Sequence, residues 1–214
     1  MTYLFLQCSN EACRFRFPAS AAEAKAIRCP RCRCEVSIVA EARHDPPPPF
    51  PSPSTDTVLV GLLDNIRSIH NVGSMFRSAD GAGVSHLHLT GITATPEHPK
   101  LSKAALGAND CIPWTYHRNG VDAAIMLRDC GYHLWALERL DSPTPPLISP
   151  DSPLPEKLAL IVGNERAGVD PGIMALCHGV ISLPMMGEKS SLNVAVAFGI
   201  ATYSLRFGLR LSTG

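Results

Sequence analysis

The stretch LALIVGNERAG, Leu158 to Gly168, decides the fold. Five apolar residues run without a break into a polar loop bounded by Gly163 and Gly168. An unbroken apolar run that ends at a turn signal suits a strand buried on both faces, and such strands belong to parallel sheets covered by helices. Outward from it, further strand-like runs occur at Val58–Leu63, Leu87–Leu89, Ile112–Tyr116, His133–Leu137 and Val180–Leu183. Helical patterns alternate with them near 72–82, 121–130, 171–177 and 191–207, the third announced by Asp170 as N-cap with Pro171 at the first helical position. Strand and helix in alternation predict an α/β fold with a mainly parallel sheet.

A chain of 214 residues, 45% hydrophobic and 18% charged, suffices for one core of ordinary size and a small appendage. The boundary is the run PPPPFPSP at 46–53, a stretch that reads as an extended polyproline-like spacer. The expected division is a cysteine-rich module over 1–45, a Pro-rich linker over 46–57 and the α/β domain over 58–214. Apolar runs such as Val194–Ala201 fall far short of the roughly 20 residues a membrane span needs. Met1–Gln7 has neither a basic start nor a cleavage site, so a soluble, cytoplasmic protein with no membrane partner is expected. The formal net charge is zero, so any nucleic-acid partner has to be met by a local patch rather than a global field.

Cys8, Cys13, Cys29 and Cys32 form a C-x4-C pair and a C-x2-C pair separated by 15 residues. Two chelating pairs on either side of a short hairpin can converge on one tetrahedral ion, and four thiolates suit Zn2+ by softness and geometry. A module of this size cannot fold on its core alone, so the metal would supply much of its folding free energy. Cys34 offers a competing fifth thiolate, whereas Cys111, Cys130 and Cys177 read as small core residues. Arg14, Phe15, Arg16 and Phe17 interleave cations with aromatics, a composition able to grip phosphate and stack an unpaired base. Both Phe residues are expected to pack the metal site, leaving Arg14, Arg16, Arg31 and Arg33 as candidate phosphate contacts.

Three segments of the α/β region carry groups able to do chemistry. NIRSIHNVGSMFRSAD, Asn65 to Asp80, follows the first strand. There Asn71 can cap a helix, and Arg77, two turns in, could reach a phosphate or hydroxyl at the carboxyl edge of the sheet, where ligands of open α/β sheets bind. Alternatively Arg77 pairs with Asp80 at i+3. In the loop after Val162, Gly163 lets backbone approach a ligand closely, and Glu165 either serves the site or simply closes the turn. In ISLPMMGEKSSLNVAVAFG, Ile181 to Gly199, Ser191 or Ser190 reads as an N-cap. Val194–Ala201 is apolar on every side, which predicts a helix buried all round. Small residues at Ala195, Ala197, Gly199 and Ala201 would permit close packing against another element, a second subunit among the options.

Taken in order, NVGSMFRSAD, VGNERAGV and LPMxGxxxSLNVAVA resemble the three signature motifs of the SpoU/TrmH family of RNA ribose 2'-O-methyltransferases, over about residues 58–207. Pro99–Ala108 also resembles the loop that members carry between the first two motifs. The resemblance implies a C-terminal segment tucked into a deep trefoil knot, which forms both a cofactor pocket and a homodimer interface. Strand patterning cannot show this, because it assumes unknotted connections. It implies S-adenosylmethionine held by residues near Gly163, Leu183, Leu192, Leu137 and Ser191, and RNA, tRNA or rRNA, as substrate. It assigns the catalytic set to Arg77, Asn71, Glu165, Ser191 and Asn193. Because a guanidinium stays protonated, Arg77 is expected to position the target phosphate and stabilise developing negative charge. One rival is a non-catalytic RNA-binding protein that retains the knotted fold, against which the intact Arg77, Glu165, Ser191 and Asn193 speak. Another is a Rossmann-type enzyme suggested by Gly81-Ala82-Gly83, which follows a helix and lacks the third glycine.

Overall fold

The structure is a computed structural model that describes residues 2–24, 27–42, 52–139, 154–188 and 191–208. The chain divides into two compact units, Met1–Pro51 and Ser52–Gly214. Most of the proline run expected as a linker lies outside the described residues, as does Ser190. The first unit is a three-stranded antiparallel sheet of β1 (Tyr3–Cys8), β2 (Arg16–Ser20) and β3 (Val36–Glu41), in the order β2-β1-β3. Its buried apolar side chains are Leu6, Cys8, Ala19 and Cys29, a core far below what holds a free-standing domain together.

The second unit runs β4 (Val58–Asp64), α1 (Ile69–Gly81), β5 (His86–Thr90), α2 (Pro99–Ala105), α3 (Ala108–Cys111), β6 (Trp114–His117), α4 (Gly120–Asp129), β7 (His133–Leu137), β8 (Lys157–Val162), α5 (Pro171–Met174), β9 (Gly179–Ile181) and α6 (Val194–Phe207). Six parallel strands lie in the order β6-β5-β4-β8-β7-β9. Leu158 to Val162 are fully enclosed, as the unbroken apolar run requires. One face is covered by α1, α2 and α6 through Met75, Phe76, Leu101 and Phe198. The other is covered by α4 and α5 through Ala123, Ala124, Leu127 and Ile173. Strand order reverses between β4 and β8, and the crevice outside the carboxyl ends of two such strands is where α/β sheets bind ligands.

Several expectations are corrected. Asn71 does not cap α1: Ser68 does, in extended conformation, its hydroxyl accepting from the Asn71 N–H at 3.3 Å, which frees the Asn71 side chain. Ser191 does not cap α6 either. Asn193 does, its Oδ1 accepting from the N–H groups of Ala195 and Val196 at 2.9 and 3.4 Å, so the helix starts later than expected. Nor is α6 enclosed all round, since Val196 is 51% exposed and Tyr203 also meets solvent. The segment Pro99–Ala108 is no plain loop: His98 caps α2, and Leu101 and Ala105 bury their side chains. Cys111 and Cys130 are exposed rather than core residues, and only Cys177 is half-buried. Gly81 ends α1 instead of opening a helix, so the arrangement a dinucleotide fingerprint needs is missing there.

The last turn of α6 is fastened to the end of α1. The Arg206 guanidinium donates to the carbonyls of Ala82 at 3.0 Å, Gly83 at 2.8 Å, Thr57 at 3.1 Å and Thr55 at 3.3 Å. A planar fork of fixed donors meets four carbonyls that would otherwise need water. Among the described residues no helix is long and apolar enough to cross a membrane.

Candidate functional site

The loops that leave β4 and β8 meet at the strand-order reversal, and Glu165 joins them. Its Oε2 accepts from the Arg67 N–H at 2.9 Å, and its Oε1 accepts from the Ser68 N–H at 3.0 Å and the Asn71 side-chain amide at 2.9 Å. Asn164 adds a second tie, donating from Nδ2 to the Asn65 carbonyl at 2.7 Å, while its Oδ1 accepts from the Arg166 and Ala167 N–H groups. Arg67 and Ser68 lead into α1, so the carboxylate sits just ahead of the helix's first turn, at the positive end of its dipole. Partial burial raises the Glu165 pKa, yet the hydrogen bonds from Arg67, its own backbone, Asn71 and Ser68 outweigh it and hold the carboxyl below its usual value.

Gly163 is fixed by its own loop. A Cβ there would lie 2.2 Å from the Gly168 carbonyl carbon and the Val169 nitrogen, because Asn164 and Gly168 exchange two backbone hydrogen bonds at 2.9 Å. The glycine is therefore demanded first by the hairpin, which carries Glu165 at its tip.

Beside this loop a cleft of about 390 Å³ opens at the carboxyl ends of β7, β8 and β9. Leu137, Gly163, Leu183, Ser191 and Leu192 all line it, together with Glu165 and Asn193. Sequence reasoning missed Glu138, Arg139, Asn164 and Ser182, which also face it. Their signal was position: each stands just past a strand's last residue, where this class of sheet binds ligands.

Asn71 reaches the lip of the cleft through Asn193, whose Nδ2 donates to Asn71 Oδ1 at 3.1 Å. A shallower groove beyond it is lined by His70, Asn71, Ser74, Ser78, Asn193 and Val196, between α1 and α6. Arg77 lines neither hollow; it is exposed, and no ion pair with Asp80 is present among the described residues. It lies one helical turn after Gly73, on the side of α1 facing α2. A Cβ on Gly73 would lie 2.5 Å from the Ala104 Cβ and 2.8 Å from its carbonyl carbon, so glycine lets α2 lie directly on α1.

In the N-terminal unit, the sulfurs of Cys8, Cys13, Cys29 and Cys32 all lie within 4.8 Å of one another. Cys34 stays outside that group and accepts from Asn10 Nδ2 at 3.7 Å. Burial drives the Cys8 thiol up to about 12. Burial opposes ionisation of Cys29 as well, but the N–H groups of Cys32 and Arg31 bring it down to about 7. Phe15 is 37% exposed and stacks on Phe17 at 5.8 Å, and its carbonyl accepts from the Cys8 N–H at 2.9 Å.

The comparisons with known proteins agree with this geometry. A 23S rRNA (guanosine-2'-O-)-methyltransferase of Vibrio parahaemolyticus is 30% identical over 148 residues, 69% of this chain and 58% of the relative. A 23S rRNA guanosine 2'-O-methyltransferase of Bacillus subtilis is 35% identical over 145 residues, 68% of this chain and 56% of the relative. The chain thus matches less than two thirds of the length of these relatives. The AdoMet-bound rRNA methyltransferase of Sinorhizobium meliloti has the same fold, with a TM-score of 0.60 at 26% identity, covering 69% of this chain and 55% of that one. With residues 58–203 matching its pattern, the chain belongs to the SpoU rRNA methylase family.

Proposed function

We propose that the protein transfers a methyl group from S-adenosylmethionine to a ribose 2'-hydroxyl in structured RNA, tRNA or rRNA. One observation carries the reading: residues from three separate segments, Leu137, Gly163–Glu165, and Leu183 with Ser191, Leu192 and Asn193, converge on a single cleft at the sheet's carboxyl edge. Its volume of about 390 Å³ lies in the range of small-molecule sites. Gly163, Leu183, Leu192, Leu137 and Ser191 would hold the cofactor, whose sulfonium supplies an activated methyl group. Glu165 places negative charge at the lip, which favours a cationic ligand over its neutral product. Asn71 and Asn193 fix one another and the carboxylate, so the polar rim is organised before substrate arrives. Arg77, exposed on α1, is suited to hold the phosphate of the target nucleotide, with Ser191 beside the reacting hydroxyl.

The reading extends to assembly and metal. A homodimer through the knotted C-terminal region is supported by the uncovered apolar side of α6 at Val196 and Tyr203. Residues 1–45 are read as a zinc-ribbon-like module, 46–57 as a linker and 58–214 as the catalytic domain, in a reducing cytoplasmic setting that keeps thiols free. Tetrahedral Zn2+ with bonds of about 2.3 Å separates its sulfurs by about 3.8 Å. The Cys13–Cys29 sulfurs stand 3.8 Å apart and those of Cys8 and Cys32 3.3 Å apart, so the set fits that ion as a structural centre.

The test is Arg77→Ala. Bound S-adenosylmethionine measured by calorimetry should be nearly unchanged, while methyl incorporation into rRNA or tRNA should fall at least about a hundredfold. Full methylation by this variant would refute the role of Arg77, and a folded wild-type chain with no affinity for S-adenosylmethionine would refute the function.

A further inference from the structure

We propose that the N-terminal unit is an RNA-gripping surface, in which Arg14 and Arg33 hold phosphates of an unpaired segment whose bases stack on Tyr3 and Phe5. The inference goes beyond the methyl-transfer reading and rests on it only for the identity of the polyanion as RNA.

The first observation is backbone strain placed twice at the same position. Arg14 follows Cys13 with φ 46°, and Arg33 follows Cys32 with φ 65°. Each ends a tight knuckle: the Arg14 N–H donates to the Asn10 carbonyl at 2.9 Å, and the Arg33 N–H donates to the Cys29 carbonyl at 2.8 Å. A left-handed position just past a chelating pair is one that glycine fills without cost, and a long side chain occupies it only against its preference. Two arginines held in that conformation at both knuckles mark groups kept for something other than the fold. Both are exposed, as are Arg16 and Arg31. In this unit the ion pair formed among the described residues is Arg28 with Glu35, which leaves those four guanidinium groups without a carboxylate partner.

The second observation is the open sheet face. Along β1, Leu4, Leu6 and Cys8 turn inward, so Tyr3, Phe5 and Gln7 share the other side, and Tyr3 and Phe5 are 44% and 36% exposed. Pairing sets Pro18 opposite Phe5 and Arg16 opposite Gln7, which brings Arg16 to the same face. Its guanidinium lies 5.9 Å from the centre of the Phe5 ring. β1 ends at Cys8, whose N–H donates to the Phe15 carbonyl at 2.9 Å, so this face runs directly into the knuckle that carries Arg14. Aromatic rings beside unpaired cations match single-stranded RNA in both its bases and its phosphates. A duplex, with its bases stacked inside, offers nothing to the rings.

The experiment uses the full chain and the double variant Arg14→Gly/Arg33→Gly, because glycine relieves both backbone positions while removing both charges. The probe is a short fluorescent stem–loop RNA with an unpaired loop, compared with a fully paired duplex of the same length. The variant should melt at the same temperature as the wild type or above it and keep its affinity for S-adenosylmethionine. It should bind the stem–loop about tenfold more weakly, and the slope of log affinity against log salt should flatten by about 1.4, for two contacts of about 0.7 each. Unchanged affinity and slope would overturn the proposal, as would equally tight binding of the duplex by the wild type. Failure of the methyltransferase reading would look different: a chain that grips the stem–loop but takes up no S-adenosylmethionine.

Discussion

Asn193 donates its side-chain amide to Oδ1 of Asn71 across 3.1 Å, joining two residues 122 positions apart. The same Asn193 accepts from the first N–H groups of α6, and the same Asn71 donates to Glu165. One asparagine is thus both a helix cap and the link between two site loops. Asn193→Ala should lower stability by about 1 kcal/mol, as loss of a cap does. Asn193→Ser should restore the cap but not the amide donor. Calorimetry should then find normal melting with weakened S-adenosylmethionine binding; wild-type affinity in the Ser variant would show the link to be idle.

Glu165→Gln removes the charge that three donors now share. Because the carboxyl is held below its usual value near 4.5, the tie it makes is fully present above that value and is lost as pH falls through the lower folded one. Cofactor affinity in the wild type should therefore be level from about pH 8 to about pH 5 and drop below that range. The Gln variant should start weaker and stay level throughout. A Gln variant with wild-type affinity would reduce Glu165 to closing the turn.

Gly163→Ala sets a methyl against the Gly168 and Val169 backbone, which cannot move like a flexible side chain. The expected cost is about 3 kcal/mol, with the loop carrying Glu165 displaced and cofactor binding lost. Urea unfolding measures the first effect and titration calorimetry the second. A variant as stable as the wild type would mean the hairpin opens without penalty.

Removing zinc with a chelator should unfold the N-terminal unit and leave the α/β unit folded, because so little apolar surface is buried beside the four cysteines. Elemental analysis should give about one zinc per chain. Cys32→Ser should abolish it, while Cys34→Ser, outside the cluster, should not. Equal losses in both variants would contradict the assignment.

His88 should make the α/β unit acid-sensitive. Its ring is buried against His117 at 3.0 Å and His86, and burial together with those neighbours lowers its pKa to about 4. The unfolded chain binds a proton near the ordinary value of about 6.5 and the folded one does not, so stability is highest above that value and declines as pH falls toward about 4. Melting temperature against pH checks this, and His88→Gln should flatten the decline. A slope that persists in the variant would place the sensitivity elsewhere.

β7 was legible to the residue, and β8 within one, the latter because a strand enclosed on both faces is written as an unbroken apolar run. α2 was not. Its apolar stripe, Leu101, Ala104 and Ala105, spans one turn only and is mostly alanine, and the helix forms where Ala104 and Ala105 lie against Gly73 of α1. Neighbouring Ser68 and Asn71 are both good caps by type, so local sequence could not rank them. Folding gives the Asn71 side-chain oxygen to Asn193 and its amide to Glu165, while the Ser68 hydroxyl accepts from the Asn71 N–H and caps the helix.

By itself the sequence determined the alternating strands and helices, the convergent cysteine pairs and the motif residues, since each is set by local periodicity, spacing or residue type. Only the tertiary structure decided which residues meet: that Asn193 and not Ser191 caps α6, that Glu165 binds the start of α1, and that Arg77 stands apart from the cleft. The physical reason is that a hydrogen-bonding group takes the partner that folding brings within about 3 Å, and for Glu165 and for the Asn193 amide those partners lie roughly a hundred residues away in the chain.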